Sequence, residues 1–281
     1  MKIGNVKEKI ATLFFWITSL AVIVVLLLIV GDLLIKGYAL LSIDYFIQPP
    51  RQAGLSGGIS SLLVGTMVLV VLAIMIAFPI SLGTAILLQQ FSQKYHHFTN
   101  FIRISLDVLA GVPSIVFGLF GLKLFSEVLG LGWSILSGSL TLTCMILPLT
   151  IIGTEQGLRS ASCKYGCCCE ALSVSQWGAL WNVLLPAAAP SILAGLLLAL
   201  GRCFAESAAV MFTAGAVTQM PTSIFDSSRA LAYHIYIMAI EVPGGTPHAY
   251  TASLVLVVLI TGINIIVNLV TYYLLKRNVQ E

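Results

Sequence analysis

Six apolar runs of about 20 residues or more leave this chain few ways to fold. A helix rising about 1.5 Å per residue needs about that length to cross some 30 Å of hydrocarbon. Windows of that size place spans near 11–31, 59–80, 104–122, 135–153, 189–214 and 250–274. Composition agrees: 58% of the 281 residues are hydrophobic and 9% charged, against roughly 45–50% and 25% in soluble domains. The expected fold class is all-α, a polytopic membrane helix bundle of about six transmembrane helices forming one domain over 1–281. No internal repeat, low-complexity tract or linker divides it.

An even number of spans puts both termini on one side. With the N-terminus inside, Lys2, Lys7, Lys9, Lys94, Arg103, Arg159, Lys164, Lys276 and Arg277 face the cytoplasm, while Lys36, Arg51, Lys123 and Arg229 lie outside. Cytoplasmic loops carry the excess of Lys and Arg, so N-in, C-in is the expected topology. The first run follows Lys2, Lys7 and Lys9 in the manner of a secretory signal, but it is too long and no A-x-A site follows it. An uncleaved first helix is expected. A net charge of +3 with no basic stripe excludes nucleic acid as a partner.

The second run ends around Pro79 with Gly83 beyond it, and the third carries Gly111, Pro113, Gly118 and Gly121. Both helices are expected to be closely packed or broken, since such residues at membrane depth need neighbouring helices or a cavity to satisfy freed backbone groups. Two external segments, about 32–58 and 215–249, are long enough for structure of their own. The second holds Tyr233, His234 and Tyr236 in an amphipathic stretch, either a docking site for an extracytoplasmic partner or a stretch lying on the membrane surface. The cytoplasmic segment at about 154–188 reads as short helices ending near Pro186 and is larger than a simple turn needs. It suits a docking surface for a cytoplasmic partner.

Arg202 and Glu206 stand near the middle of the fifth run, four residues apart on one helix face. Ionisable groups at that depth cost a few kcal/mol and face the protein interior or water. One reading is a packing ion pair. The other is an anion site, because a guanidinium offers a fork of donors that matches oxyanion geometry and stays charged. In that reading Glu206 holds Arg202 and releases it when the anion arrives, with Ser207 and Thr213 as possible hydroxyl partners.

Three other motifs carry less. No G-x-x-x-x-G-K-[ST] loop occurs, so if ATP drives this protein another subunit hydrolyses it. Gly54-Leu55-Ser56-Gly57-Gly58 matches G-x-S-x-G, which presents a nucleophilic serine in some enzymes and needs a strand–turn–helix context or a His on a facing helix. A flexible, glycine-rich entry to the second span is the simpler reading. The six cysteines, Cys144, Cys163, Cys167, Cys168, Cys169 and Cys203, fall in spans or on the cytoplasmic side, where thiols stay reduced. The adjacent Cys167, Cys168 and Cys169 do not converge readily on one metal ion.

From about residue 55 onward the chain resembles the permease subunits of phosphate-specific ABC importers, the PstA type. The strongest match runs from Leu109 to Gly121, LAGVPSIVFGLFG, within a stretch that begins at Leu106. Weaker matches are Gly57-Gly58-Ile59 with Gly65-Thr66, Leu147-Pro148, and Thr154-Glu155 leading into Gly157-Leu158-Arg159-Ser160. Gly201-Arg202 with Glu206-Ser207-Ala208 is similar to the family's GRxxGETA segment, with Ala205 and Ser207 replacing its second glycine and its threonine. Of the coupling motif EAAxALG, Ala171, Leu172 and Ser173 keep the ALG portion with serine for glycine, while Cys167, Cys168 and Cys169 occupy EAA and Glu170 is the nearby acid. Leu185-Pro186 keeps the following Leu-Pro pair.

The resemblance implies a type I importer permease (MetI-like) fold in the bacterial plasma (inner) membrane. Phosphate would cross by alternating access between this chain and a second, PstC-like permease. A cytoplasmic ATPase dimer would use the ATP, docking on Glu170, Ala171, Leu172, Ser173, Leu185 and Pro186. An extracytoplasmic phosphate-binding protein would deliver the anion, and membrane lipid surrounds the complex. The chain itself then binds no cofactor or metal and is not an enzyme. The candidate substrate-binding residues are Arg202, Glu206, Ser207 and Ser114, with Arg202 carried over from the family's anion pathway. Rival readings are a permease for sulfate or molybdate, an intramembrane serine hydrolase using Ser56, and a noncatalytic scaffold or sensor.

Overall fold

A computed structural model describes residues 3–91 and 95–279. Of the basic residues that set the expected topology, Lys2 and Lys94 lie outside these, as do the side chains of Lys7, Lys276 and Arg277. The chain is a helix bundle. Five helices are long and apolar enough to cross a membrane, and a sixth span is counted if a sharply bent helix pair is one. The long helices are α1 (Ile3–Gly37), α3 (Ser60–Phe91), α6 (Ile135–Ala171), α8 (Leu185–Ala205) and α11 (Thr246–Val279). The bent pair is α4 (His96–Ala110) with α5 (Ser114–Gly121), which widens into π-helical turns over Leu122–Val128; the two axes differ by 98°. Short helices α2 (Ile43–Ile47), α7 (Gln176–Ala179), α9 (Ala208–Thr213) and α10 (Leu231–Ile240) fill the connections. A two-stranded antiparallel ribbon, β1 (Pro50–Arg51) with β2 (Ser56–Gly57), precedes α3.

The centre is α3 packed on α6, with α8, α9 and α11 around them. The main cluster joins Leu69, Val70 and Ala73 to Leu142, Met145 and Ile146, and to Phe204 and Val210. Apolar contact alone does not hold helices together in lipid, where tails are as apolar as leucine. Hydroxyls supply the rest. Ser139 Oγ donates to the Leu69 carbonyl (3.1 Å), Thr143 Oγ1 to that of Ala73 (3.1 Å), and Ser81 meets Thr150 at 2.6 Å. Small residues bring α6 against α8, where a Cβ on Gly153 would stand 3.3 Å from the Gly195 Cα.

Several span boundaries are corrected. Instead of ending around Pro79, α3 runs through Pro79 and Gly83 to Phe91. The Pro79 ring occupies an exposed position and Gly83 has no neighbour within 4 Å, so neither disturbs packing. The expected straight span 104–122 is broken at 111–113, because Pro113 lacks an N–H and pushes Val112 out of helical conformation. The segment read as a loop over 154–188 is mostly the continuation of α6 to Ala171. At about 55 Å, α6 outruns a hydrocarbon core of about 30 Å. Only 172–175 intervene before α7, and Pro186 opens α8 rather than ending a helix.

The segment 215–249, expected to lie outside, folds onto the bundle. Its carbonyls at Asp226 and Ile224 accept the Ile135 and Leu136 N–H groups at 2.9 Å, and Ser134 Oγ takes that of Ser137. These would otherwise be orphan donors of the first turn of α6. The stretch with Tyr233, His234 and Tyr236 is α10, and His234 is 1% exposed. Neither of the expected settings fits His234, which is core. A Cβ on Gly54, whose φ is +103°, would stand 2.7 Å from its Cε1. Burial, helped by the positive charges of Arg229 and His248, pushes its pKa down from 6.5 to about 4.

Candidate functional site

Charged residues enter the bundle where two interrupted helices meet. On one side α4 stops at Ala110, and α5 starts at Ser114 after Pro113 at φ −59°, ψ 141°. On the other α8 stops at Ala205, Glu206 is extended (φ −75°, ψ 121°), and α9 starts at Ala208. The two pieces α5 and α9 pack closely. A Cβ on Gly118 would stand 3.0 Å from the Ala209 Cα and 3.2 Å from the Ala208 carbonyl oxygen. Irregular backbone survives at membrane depth only where it is buried in protein or lines a polar cavity.

Three of the four candidate substrate residues come together there. Ser114, at the start of α5, lies near the Glu206 carboxylate. Arg202 Nε lies 4.0 Å from Glu206 Oε1, with the side chains 35% and 13% exposed. That separation is an ion pair but too long for a hydrogen bond, so the guanidinium donors are not consumed by Glu206. The expectation that both residues share one helix face is corrected, since Glu206 sits in the extended break. Ser207, partly exposed, precedes α9 and makes no side-chain cap. Thr213 is fully buried with its hydroxyl bonded to the Ala209 carbonyl at 2.8 Å, so it is not available to a ligand. The junction thus presents one half-buried cation beside a carboxylate, suited to taking an oxyanion in competition with Glu206.

At the other end of α6, the residues expected to couple to an ATPase form a compact exposed turn. Glu170, Ala171, Leu172 and Ser173 are exposed, Leu185 is half-buried and Pro186 exposed. Ser173 takes φ +49°, a left-handed conformation that favours glycine, at the position where the family motif has one. Leu172, Val174, Trp177 and Trp181 expose apolar surface around the turn. Cys167 and Cys168 are exposed and Cys169 buried, and no group of side chains able to hold a metal ion occurs among the described residues.

Sequence reasoning missed the pairing of Arg103 with Glu155. Arg103 Nε donates to Glu155 Oε1 at 2.7 Å and Nη2 reaches the same oxygen. Both residues appear in the motif reading only as a cytoplasmic charge and part of a weak match. No spacing rule links α4 to α6, so nothing short of the fold reveals them. Ser56 lies in the two-residue strand β2 shortly before α3, and the family match reported below does not favour the hydrolase reading.

A bundle of membrane-spanning helices with a charged, broken-helix junction inside defines a multispan membrane transport component. The chain belongs to the family described as binding-protein-dependent transport system inner membrane component, which matches residues 96–280. It is 30% identical over 276 residues to the probable ABC transporter permease protein YqgI of Bacillus subtilis, covering 93% of this chain and 94% of that one. It is 31% identical over 268 residues to the phosphate transport system permease protein PstA of Mycobacterium leprae, covering 93% and 87% respectively. A PstA of Xylella fastidiosa is 31% identical over 202 residues, 71% of this chain and 69% of its own. The chain is accordingly a transport subunit, not an enzyme.

Proposed function

We propose that the chain is the permease subunit of an ATP-driven phosphate importer, with the anion passing the junction of Ser114, Glu206 and Arg202. The observation that carries this is the half-buried Arg202 beside Glu206 at the meeting of two broken helices, in a chain whose relatives include several named phosphate permeases. A guanidinium held where backbone is irregular offers phosphate the donors it loses on leaving water. A second, PstC-like permease completes the path. The turn at 170–177 with its exposed Leu172 and Trp177 receives a cytoplasmic ATPase dimer, and a phosphate-binding protein delivers the anion outside. The excess of Lys and Arg supports N- and C-termini in the cytoplasm of a bacterium.

The test is radiolabelled phosphate uptake into proteoliposomes holding the full set of subunits. ATP-dependent uptake that excess sulfate leaves unchanged is expected. Strong competition by sulfate or molybdate would move the assignment to another oxyanion, and uptake without ATP would contradict it.

A further inference from the structure

We propose that Arg103 and Glu155 are a positioning pair, tying movement of the cytoplasmic end of α6 to the state of the Ser114–Glu206 junction. The inference rests on the transport reading above. Four ion pairs occur among the described residues. Asp32–Lys36, Lys123–Glu127 and Arg202–Glu206 each join residues four apart, and Arg103–Glu155 alone joins two separate elements. Its side chains are 27% and 9% exposed. Taking two charges out of water costs more than an apolar contact of the same size, so such a pair contributes geometry rather than stability.

The geometry runs between the two functional ends. Glu155 stands on the same unbroken helix that carries the exposed turn after Ala171. Arg103 stands on α4, whose next landmark is the 98° bend into α5, and Ser114 opens α5 near Glu206. Thr99 is the one buried residue of α4, and Phe98, Phe101, Ile104 and Val108 all point outward. Beside the pair, Asp107, Arg159 and Gln156 line a cavity of about 170 Å³, room for the carboxylate and guanidinium to re-pair as α6 tilts. A charge pair with two arrangements is the kind of element through which two sites bias one another.

The experiment compares Arg103→Glu, Glu155→Arg and the double exchange in proteoliposomes holding the complete importer, reading assembly, ATP hydrolysis and phosphate uptake in the same vesicles. Each single variant is expected to assemble and hydrolyse ATP while phosphate moved per ATP falls on the order of tenfold, and the double exchange to recover most of it. Should the reversals fail to assemble, Glu155→Gln keeps an acceptor without the charge and is expected to lower the same ratio less. A normal ratio in assembled variants would overturn the proposal. So would a parallel fall of assembly, hydrolysis and uptake, which is what a purely structural pair gives. If the native complex itself moves no phosphate, the transport reading fails first and takes this inference with it.

Discussion

The pair α3 and α6 and the pair α5 and α9 solve opposite problems with similar residues. Each of the first two carries an internal proline, Pro79 or Pro148, yet runs unbroken for 32 or 37 residues. By contrast, α8 stops at Ala205 although no proline lies near the stop. Hydroxyls and carbonyls account for the difference. Along α3 and α6, Ser139, Thr143, Ser81 and Thr150 each bond across or along the contact. Their demand is met within the protein, which leaves the helices closed to a ligand. At the other junction Glu206 is extended, Ser207 precedes α9 without a side-chain cap, and Arg202 stops short of a hydrogen bond to Glu206. Unbroken helices make the frame, and the charged pair Arg202 and Glu206 sits at the break between α8 and α9.

The largest effect is expected where the junction depends on close backbone approach. Gly118→Val puts a branched side chain against Ala208 and Ala209. Overpacking of this kind costs about 1–3 kcal/mol, and uptake should be lost in whatever complex assembles. Normal uptake and melting temperature would break the comparison.

His234 sharpens the comparison from the other side, because its Nδ1 is the one buried side-chain polar atom without a partner among the described residues. Its pKa is depressed from 6.5 to about 4, so the unfolded chain takes up the proton first. Stability is full above pH 6.5 and falls by about 3 kcal/mol as pH drops toward 4. Thermal unfolding of purified protein should show this slope, and His234→Gln should flatten it. An equal slope in both would remove burial of the neutral ring as its cause.

Smaller effects belong to the frame. Thr150→Ala removes one interhelical hydroxyl and leaves Ser81 with its Ala77 carbonyl, a loss of about 1 kcal/mol readable as a lowered melting temperature with uptake retained. Ser56→Ala should change neither uptake nor melting temperature. Loss of uptake there would reopen the role of the ribbon.

Much of this organisation was legible beforehand. Apolar runs of span length located α1, α3 and α11, placing the start of α3 and both ends of α11 closely but stopping α3 about three turns short of Phe91, and Pro113 marked the bend between α4 and α5. Arg202 and Glu206 announced themselves as charges in an apolar run. The continuation of α6 escaped notice because Glu155, Gln156, Arg159 and Lys164 make a helix outside the membrane look like a loop to any hydropathy window. The break at Glu206 escaped because it carries neither proline nor the family's glycine. Ser173 shows the same limit, since a serine at φ +49° signals its turn only when the chain is folded.

The central claim is that anion passage depends on Arg202 at the junction of the broken helices. Phosphate uptake by the assembled importer, native against Arg202→Gln, tests it most directly. Assembly and ATP hydrolysis retained with uptake lost is the predicted result. Undiminished uptake in the assembled variant would make Arg202 and Glu206 a packing ion pair and contradict the account.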